Sequence, residues 1–247
     1  LDGRGAVQHD VLPGSGPLST KVTLTRSSQF GSISIMHFTT VCHQGSQLVS
    51  EFETSFGFFT EQALADQVGV PTDDAARTER GRVSDVQWNL HDATFQHGPG
   101  PMLRMVDSVT GFWPTGGKAG KGRIRAEQKI DPANWYFKAH FFQDPVQPGS
   151  LGLQAMLSVL QYFMLQSDQL ASVPNPKFES VRLGDELKWK YRGQVVPTTD
   201  RVTVELDILE FGHDDRGLYA IAEGFLWADN IRIYQSERFG LRAVSGN

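Results

Sequence analysis

The stretch that decides the fold is Trp135-Tyr136-Phe137-Lys138-Ala139-His140-Phe141-Phe142-Gln143-Asp144-Pro145-Val146-Gln147-Pro148-Gly149-Ser150-Leu151-Gly152-Leu153-Gln154. One histidine closes an aromatic run, a loop stiffened by Pro145 and Pro148 follows, and an apolar segment opens at Gly149-Ser150. From Leu151 to Leu165 apolar residues fall on nearly every side: Leu151, Leu153, Ala155, Met156, Leu157, Val159, Leu160, Phe163, Met164 and Leu165. A helix apolar all round is a buried one, and the pattern predicts it from about Ser150 to Gln166. Gln154, Ser158 and Gln161 are its polar exceptions, and their spacing puts them on one face. Either that face meets a partner, a ligand or another helix, or the three residues satisfy one another and the nearby backbone.

Gly149 and Ser150 open this helix. The first amides of a helix lack internal partners and sit at the positive end of its dipole, so they suit an oxygen that gains negative charge. Gly149 lets a ligand come close; Ser150 equally fits a plain N-cap. Among seven histidines none pair at metal-ligand spacing, and Cys42 is the only cysteine, so no metal site and no intrachain disulfide are expected. His9, His43, His91, His97 and His213 lie in polar or turn-like surroundings and are expected to face solvent; His37 lies in a strand and is expected to be structural. His140 is different. Set among Trp135, Tyr136, Phe137, Phe141 and Phe142, it is expected to be half-buried, and a buried imidazole stays neutral, as a general base must.

Outward from this segment the chain repeats itself. Val11-Leu12-Pro13, Lys21–Thr25 and Phe56-Gly57-Phe58-Phe59 match Val195-Val196-Pro197, Arg201–Glu205 and Phe239-Gly240-Leu241. Between these marks strands are predicted at 32–41 and 47–56 in the first half and at 218–227 and 231–239 in the second, each pair an antiparallel meander split by a turn. The second meander follows predicted strands at 102–109 and 122–130, the histidine loop and the helix. No helix stands before the first. Its apolar face therefore needs a cover from elsewhere, and the chain, which has no initiator Met and no signal-peptide pattern, reads as a part of something longer. Residues 67–101 form an irregular connector after a short helical stretch at 61–67. Ser84–Leu90 fits a short helix or an extended segment, and Gly98-Pro99-Gly100-Pro101 is a stop.

With 247 residues, 39% hydrophobic and 21% charged, the composition is that of a soluble globular protein. A net charge of -5 gives no reason to expect nucleic acid, and no apolar run is long enough to cross a membrane. A reducing, cytoplasmic setting fits the single cysteine.

The histidine loop and its helix resemble the active-site segment of the β-hydroxyacyl-thioester dehydratases of bacterial fatty acid synthesis, and most of all the dehydratase regions of polyunsaturated fatty acid synthases. The likeness covers about residues 101–243. Pro101–Asp107 looks like the family's first strand, Lys121–Glu127 and Ile130–Trp135 like the lead into the active site, and Gly193–Pro197 and Phe239–Leu241 like the late strands. The resemblance implies an α+β hot-dog fold, with an antiparallel sheet around a long helix. Residues 101–247 would be one complete hot dog, 71–100 a linker, and 1–70 the second half of a preceding hot dog whose helix is missing: a partial double hot dog. It implies loss of water from a 3-hydroxyacyl thioester on an acyl carrier protein, without a cofactor. His140 matches the catalytic histidine; Gly149 and Ser150 would bind the thioester carbonyl, and Gln154, whose amide can hydrogen-bond a hydroxyl, completes the substrate-binding set.

Position 154 departs from the family pattern. Family members carry an acid there, and Gln154 cannot give up a proton near neutral pH. The resemblance then implies one site built from His140 and an acid of another unit, with this chain inactive or partial alone and either self-associating or pairing with an upstream half. A non-catalytic acyl-binding hot dog and a hot-dog thioesterase are the competing expectations.

Overall fold

The computed structural model describes residues 1–92 and 100–246; His97 and the Gly98-Pro99 part of the expected stop lie outside the described residues. The strands are β1 (Asp2–Val7), β2 (Leu18–Phe30), β3 (Ile33–Gln44), β4 (Gln47–Phe58), β5 (Trp88–Asn89), β6 (Ser108–Trp113), β7 (Arg123–Lys129), β8 (Pro176–Phe178), β9 (Glu186–Tyr191), β10 (Arg201–Asp214), β11 (Gly217–Ala228) and β12 (Ile231–Ser245). The helices are α1 (Glu61–Ala65), α2 (Asp74–Arg80), α3 (Tyr136–Ala139) and α4 (Gly149–Leu165). One sheet runs β2-β3-β4-β1-β9-β12-β11-β10-β7-β6-β5, with β8 added to β12. Short β1 joins the halves: Gly3 lies opposite Thr54 of β4 on one side and Trp189 of β9 on the other, both antiparallel. Residues 2–58 thus extend the same sheet.

The two meanders share two irregularities as well as their strands, while a further shift between Ala222 and Gly224 in β11–β12 has no counterpart in β3–β4. Thr25 bulges out of the β2–β3 ladder and Leu209 out of β10–β11; Val49 bulges out of β3–β4 and Ile233 out of β11–β12. The same spacing separates both pairs. The register therefore matches Thr25 with Leu209, where the likeness of Lys21–Thr25 to Arg201–Glu205 sets it against Glu205. The first half of the complete unit departs from expectation. Pro101–Leu103 is a 3-10 turn closed by the Leu103 amide on the Gly100 carbonyl at 2.9 Å, and the strand begins only at Ser108. Residues 84–90 form no helix; only Trp88–Asn89 is strand, with Trp88 paired to Val109.

α4 is the core. Met156, Val159, Leu160 and Met164 are fully buried against Val204, Leu206, Ile208 and Ala222, which are also fully buried. Burying each large apolar side chain contributes about 1.5–3 kcal/mol. Contact is close because Gly224 has no side chain: a Cβ there would stand 2.9 Å from the Met156 sulfur. Strand alternation sends Glu205, Asp207 and Trp227 to the opposite face. There Arg123 bonds Glu205 at 2.7 Å and Asp207 at 2.9 Å, and the Trp227 indole donates to Glu205 at 2.7 Å. The connector crosses this outer face as a strap. Arg125 donates to the Arg80 and Arg82 carbonyls, Arg232 donates to the Pro71 carbonyl, and Arg80 stacks 4.7 Å over Trp227.

On the helix side of the first meander the residues that repeat the core are bare. Leu206, Ile208, Leu241 and Ala243 are at most 2% exposed, whereas their counterparts by register, Val22, Leu24, Phe56 and Phe58, are 59%, 54%, 44% and 61% exposed. Phe38 and Phe52 beside them are half-buried, Phe38 stacking on Phe56 at 5.0 Å.

Candidate active site at the histidine loop

The single turn α3 carries His140 at its C-terminal end, the His140 amide bonding the Tyr136 carbonyl at 3.1 Å. Tyr136 and Phe137 anchor that turn in the core at 1% and 5% exposure. The Tyr136 hydroxyl accepts from Asn134 at 2.9 Å, and burial pushes its pKa up to about 12, so it stays protonated. Trp135 donates to the Met102 carbonyl at 3.2 Å and ties the turn to the 3-10 segment.

His140 is half-buried, as expected. Its Nδ1 lies 3.0 Å from the Val146 carbonyl oxygen. A carbonyl only accepts, so Nδ1 is the donor of this contact, and in the neutral form of the ring the lone pair is then on Nε2. The Phe141 ring stacks on the imidazole at 3.9 Å. The loop is pinned further on: the Val146 amide bonds the Asp144 carbonyl and the Gln147 amide the Val195 carbonyl, both at 2.9 Å. Buried Gln147 points its amide nitrogen at the Met105 sulfur, 3.8 Å away.

α4 starts at Gly149, and Pro148 takes the N-cap position with no side-chain cap bond. Ser150 is therefore not the N-cap: it is the second residue of the helix and exposed. Pro148 explains the difference, because proline suits the entrance of a helix and leaves the following amides to outside acceptors. A Cβ built on Gly149 meets nothing within 4 Å, so the space in front of this helix start is open. One turn on, Gln154 is half-buried; its side-chain amide donates to Ser158 Oγ at 3.2 Å, and buried Ser158 donates to the Gln154 carbonyl at 2.8 Å. These two satisfy each other, one of the two readings open for that face.

The four residues singled out from sequence thus lie along one continuous segment, with His140 and the bare helix start at its two ends. What sequence reasoning misses is the Val146 carbonyl, a backbone group with no residue signature, and the Phe141 stack. His9, His91 and His213 are exposed, and His37 and His43 are half-buried. Among the described residues no three of His, Cys, Asp or Glu gather as metal ligands, and no helix is long and apolar enough to cross a membrane.

An antiparallel sheet packed on one long helix, with a histidine loop at the start of that helix, defines a hot-dog protein. The chain belongs to the FabA-like domain family, whose model matches residues 98–237. It is 27% identical over 248 residues to one of the polyunsaturated fatty acid synthase subunits of Thraustochytrium sp., a match covering 90% of this chain but only 16% of that protein. The solved dehydratase domain from the CurJ module of curacin polyketide synthase is similar in fold, at 11% identity and TM-score 0.58 over 99% of this chain and 76% of that one. So is an acyl-CoA thioesterase II, TesB2, from Mycobacterium marinum, at 10% identity and TM-score 0.52 over 100% of this chain and 81% of that one.

Proposed function

We propose that this chain is part of a dehydratase of a fatty acid or polyunsaturated fatty acid synthase, acting on a 3-hydroxyacyl thioester carried by an acyl carrier protein in the cytoplasm. The observation that carries the reading is the His140 Nδ1 contact to the Val146 carbonyl: in the neutral ring it leaves Nε2 as the base, on the loop that leads into an uncapped helix start. His140 Nε2 takes the α-proton, which the thioester carbonyl acidifies. The Gly149 and Ser150 amides hold the carbonyl oxygen as enolate character grows. The β-carbon–oxygen bond then breaks, a proton reaches the hydroxyl, and water leaves an enoyl thioester. Gln154 has no proton to give for that last step, so the acid comes from another unit.

The same reading accounts for the bare apolar face of the first meander. A helix of another unit covers Val22, Leu24, Phe56 and Phe58 as α4 covers their counterparts, with residues 1–70, 71–100 and 101–247 as partial unit, linker and complete unit. The mutually satisfied Gln154 and Ser158 favour a second reading, an acyl-binding module without turnover. The experiment is turnover of a 3-hydroxyacyl thioester by wild type and by His140→Ala, in the chain and in any longer protein that carries it. Loss of water that disappears in His140→Ala supports the dehydratase. Free thiol release instead of enoyl product indicates a thioesterase. Turnover that survives in His140→Ala with substrate still bound removes His140 from the chemistry.

A further inference from the structure

The turn after His140 is built to cover one face of the imidazole. Phe141 pairs with Asp144 in a β-bridge, and Gln143 supplies the left-handed residue of this tight turn at φ 56°. The Asp144 carbonyl then accepts the Val146 amide at 2.9 Å, and the Val146 carbonyl faces His140 Nδ1 at 3.0 Å. The same turn lays the Phe141 ring on the imidazole, with centroids 3.9 Å apart and planes 29° from parallel. The hydrogen bond restrains rotation about the Cβ–Cγ bond only as long as it is made. A ring stacked on the imidazole adds a second restraint on the same rotation.

Core packing does not explain the place of Phe141. Tyr136 and Phe137, which anchor α3, are 1% and 5% exposed, whereas Phe141 is 55% exposed. Its neighbour Phe142 is 91% exposed. An aromatic ring left half in water and stacked on another ring is placed by that stack.

We propose that Phe141 is a positioning residue for His140: its ring braces the imidazole plane, so that Nδ1–H stays on the Val146 carbonyl and the bare Nε2 stays turned to the substrate. This rests on His140 being the base, as proposed above. Losing the brace lets the ring swing, the Nδ1 bond is made only part of the time, and both neutral tautomers appear.

The test is the full chain with 15N-labelled histidine, its tautomers read from two-bond 1H–15N correlation spectra. Wild type is expected to show His140 as the Nδ1–H form alone. Phe141→Leu should show both tautomers, Phe141→Tyr should restore the single form, and Phe142→Leu should match wild type. Where the chain turns over substrate, Phe141→Leu should lose roughly tenfold in kcat with KM within about twofold, the signature of orientation and not of binding. A single Nδ1–H tautomer in Phe141→Leu, or mixed tautomers in wild type, overturns the proposal. If signal dispersion shows Phe141→Leu unfolded, Phe141→Met is judged by the same criterion. Because the tautomer is read without substrate, this outcome is independent of whether His140→Ala abolishes turnover.

Discussion

At the scale of single residues, the site divides into side chains that act by their own chemistry and side chains that serve as backbone. Ser150 is exposed and does not take the N-cap position, and in the proposed reaction only its amide meets the substrate, so Ser150→Ala should change turnover less than about threefold and stability by under about 0.5 kcal/mol. Gln154 is the reverse, since its identity is its meaning. Gln154→Asp puts a titratable group where an amide stands and should create or raise activity only where a histidine of another unit faces it. Steady-state kinetics of both variants beside wild type separate the cases; a Ser150→Ala variant as impaired as His140→Ala would give its hydroxyl a direct role. His140 and the helix start are legible in the sequence because proline, glycine and an aromatic run are local signals. The tautomer is not, because it is set by the carbonyl of Val146, and any residue type supplies a carbonyl.

At the scale of elements, α4 follows from an almost unbroken apolar run behind a Pro-Gly start, and the two meanders from strand-forming residues split by turn signals; the strap follows from neither. Residues 69–83 carry few apolar positions, and what holds them is a set of arginine contacts to backbone carbonyls and indole faces on strands distant in sequence. Such contacts have no period. Beneath the strap, the side chains of Arg123, Glu205 and Asp207 are 7%, 3% and 11% exposed. Removing the cation leaves two carboxylates without their partner in a water-poor place, which costs about 3–5 kcal/mol. Arg123→Ala should lower stability by about that amount in urea unfolding, while Arg123→Ala combined with Glu205→Gln and Asp207→Asn should recover part of it. A loss under about 1 kcal/mol for Arg123→Ala would mean that water reaches the cluster in the folded state. The late start of β6 is hidden for a related reason: Met102, Leu103 and Met105 look strand-like, but Pro101 and the anchoring of Trp135 to the Met102 carbonyl bend the chain into a 3-10 turn first.

At the scale of the whole molecule, the face carrying Val22, Leu24, Phe56 and Phe58 governs behaviour in solution. A contiguous apolar surface of this kind seeks a partner, so the chain by itself should self-associate at micromolar concentration. Sedimentation velocity across a hundredfold concentration range checks this, and charged replacements of Leu24 and Phe58 should return the monomer. A monomer throughout in wild type would mean that the face is covered in some other way. The pairing of halves is legible from Phe-Gly recurring in order, yet the alignment of strands rests on bulges at Thr25, Val49, Leu209 and Ile233, which no residue type announces.

The joint made by β1 limits how the two halves can move against each other. Five residue pairs bind it to β4 and five to β9, so parting the halves like the shells of a clam would tear a whole row of backbone hydrogen bonds at once. Sheets yield far more readily by twisting than by splitting. Any change in the angle between the halves must therefore run through twist of one continuous sheet, not through a hinge at β1.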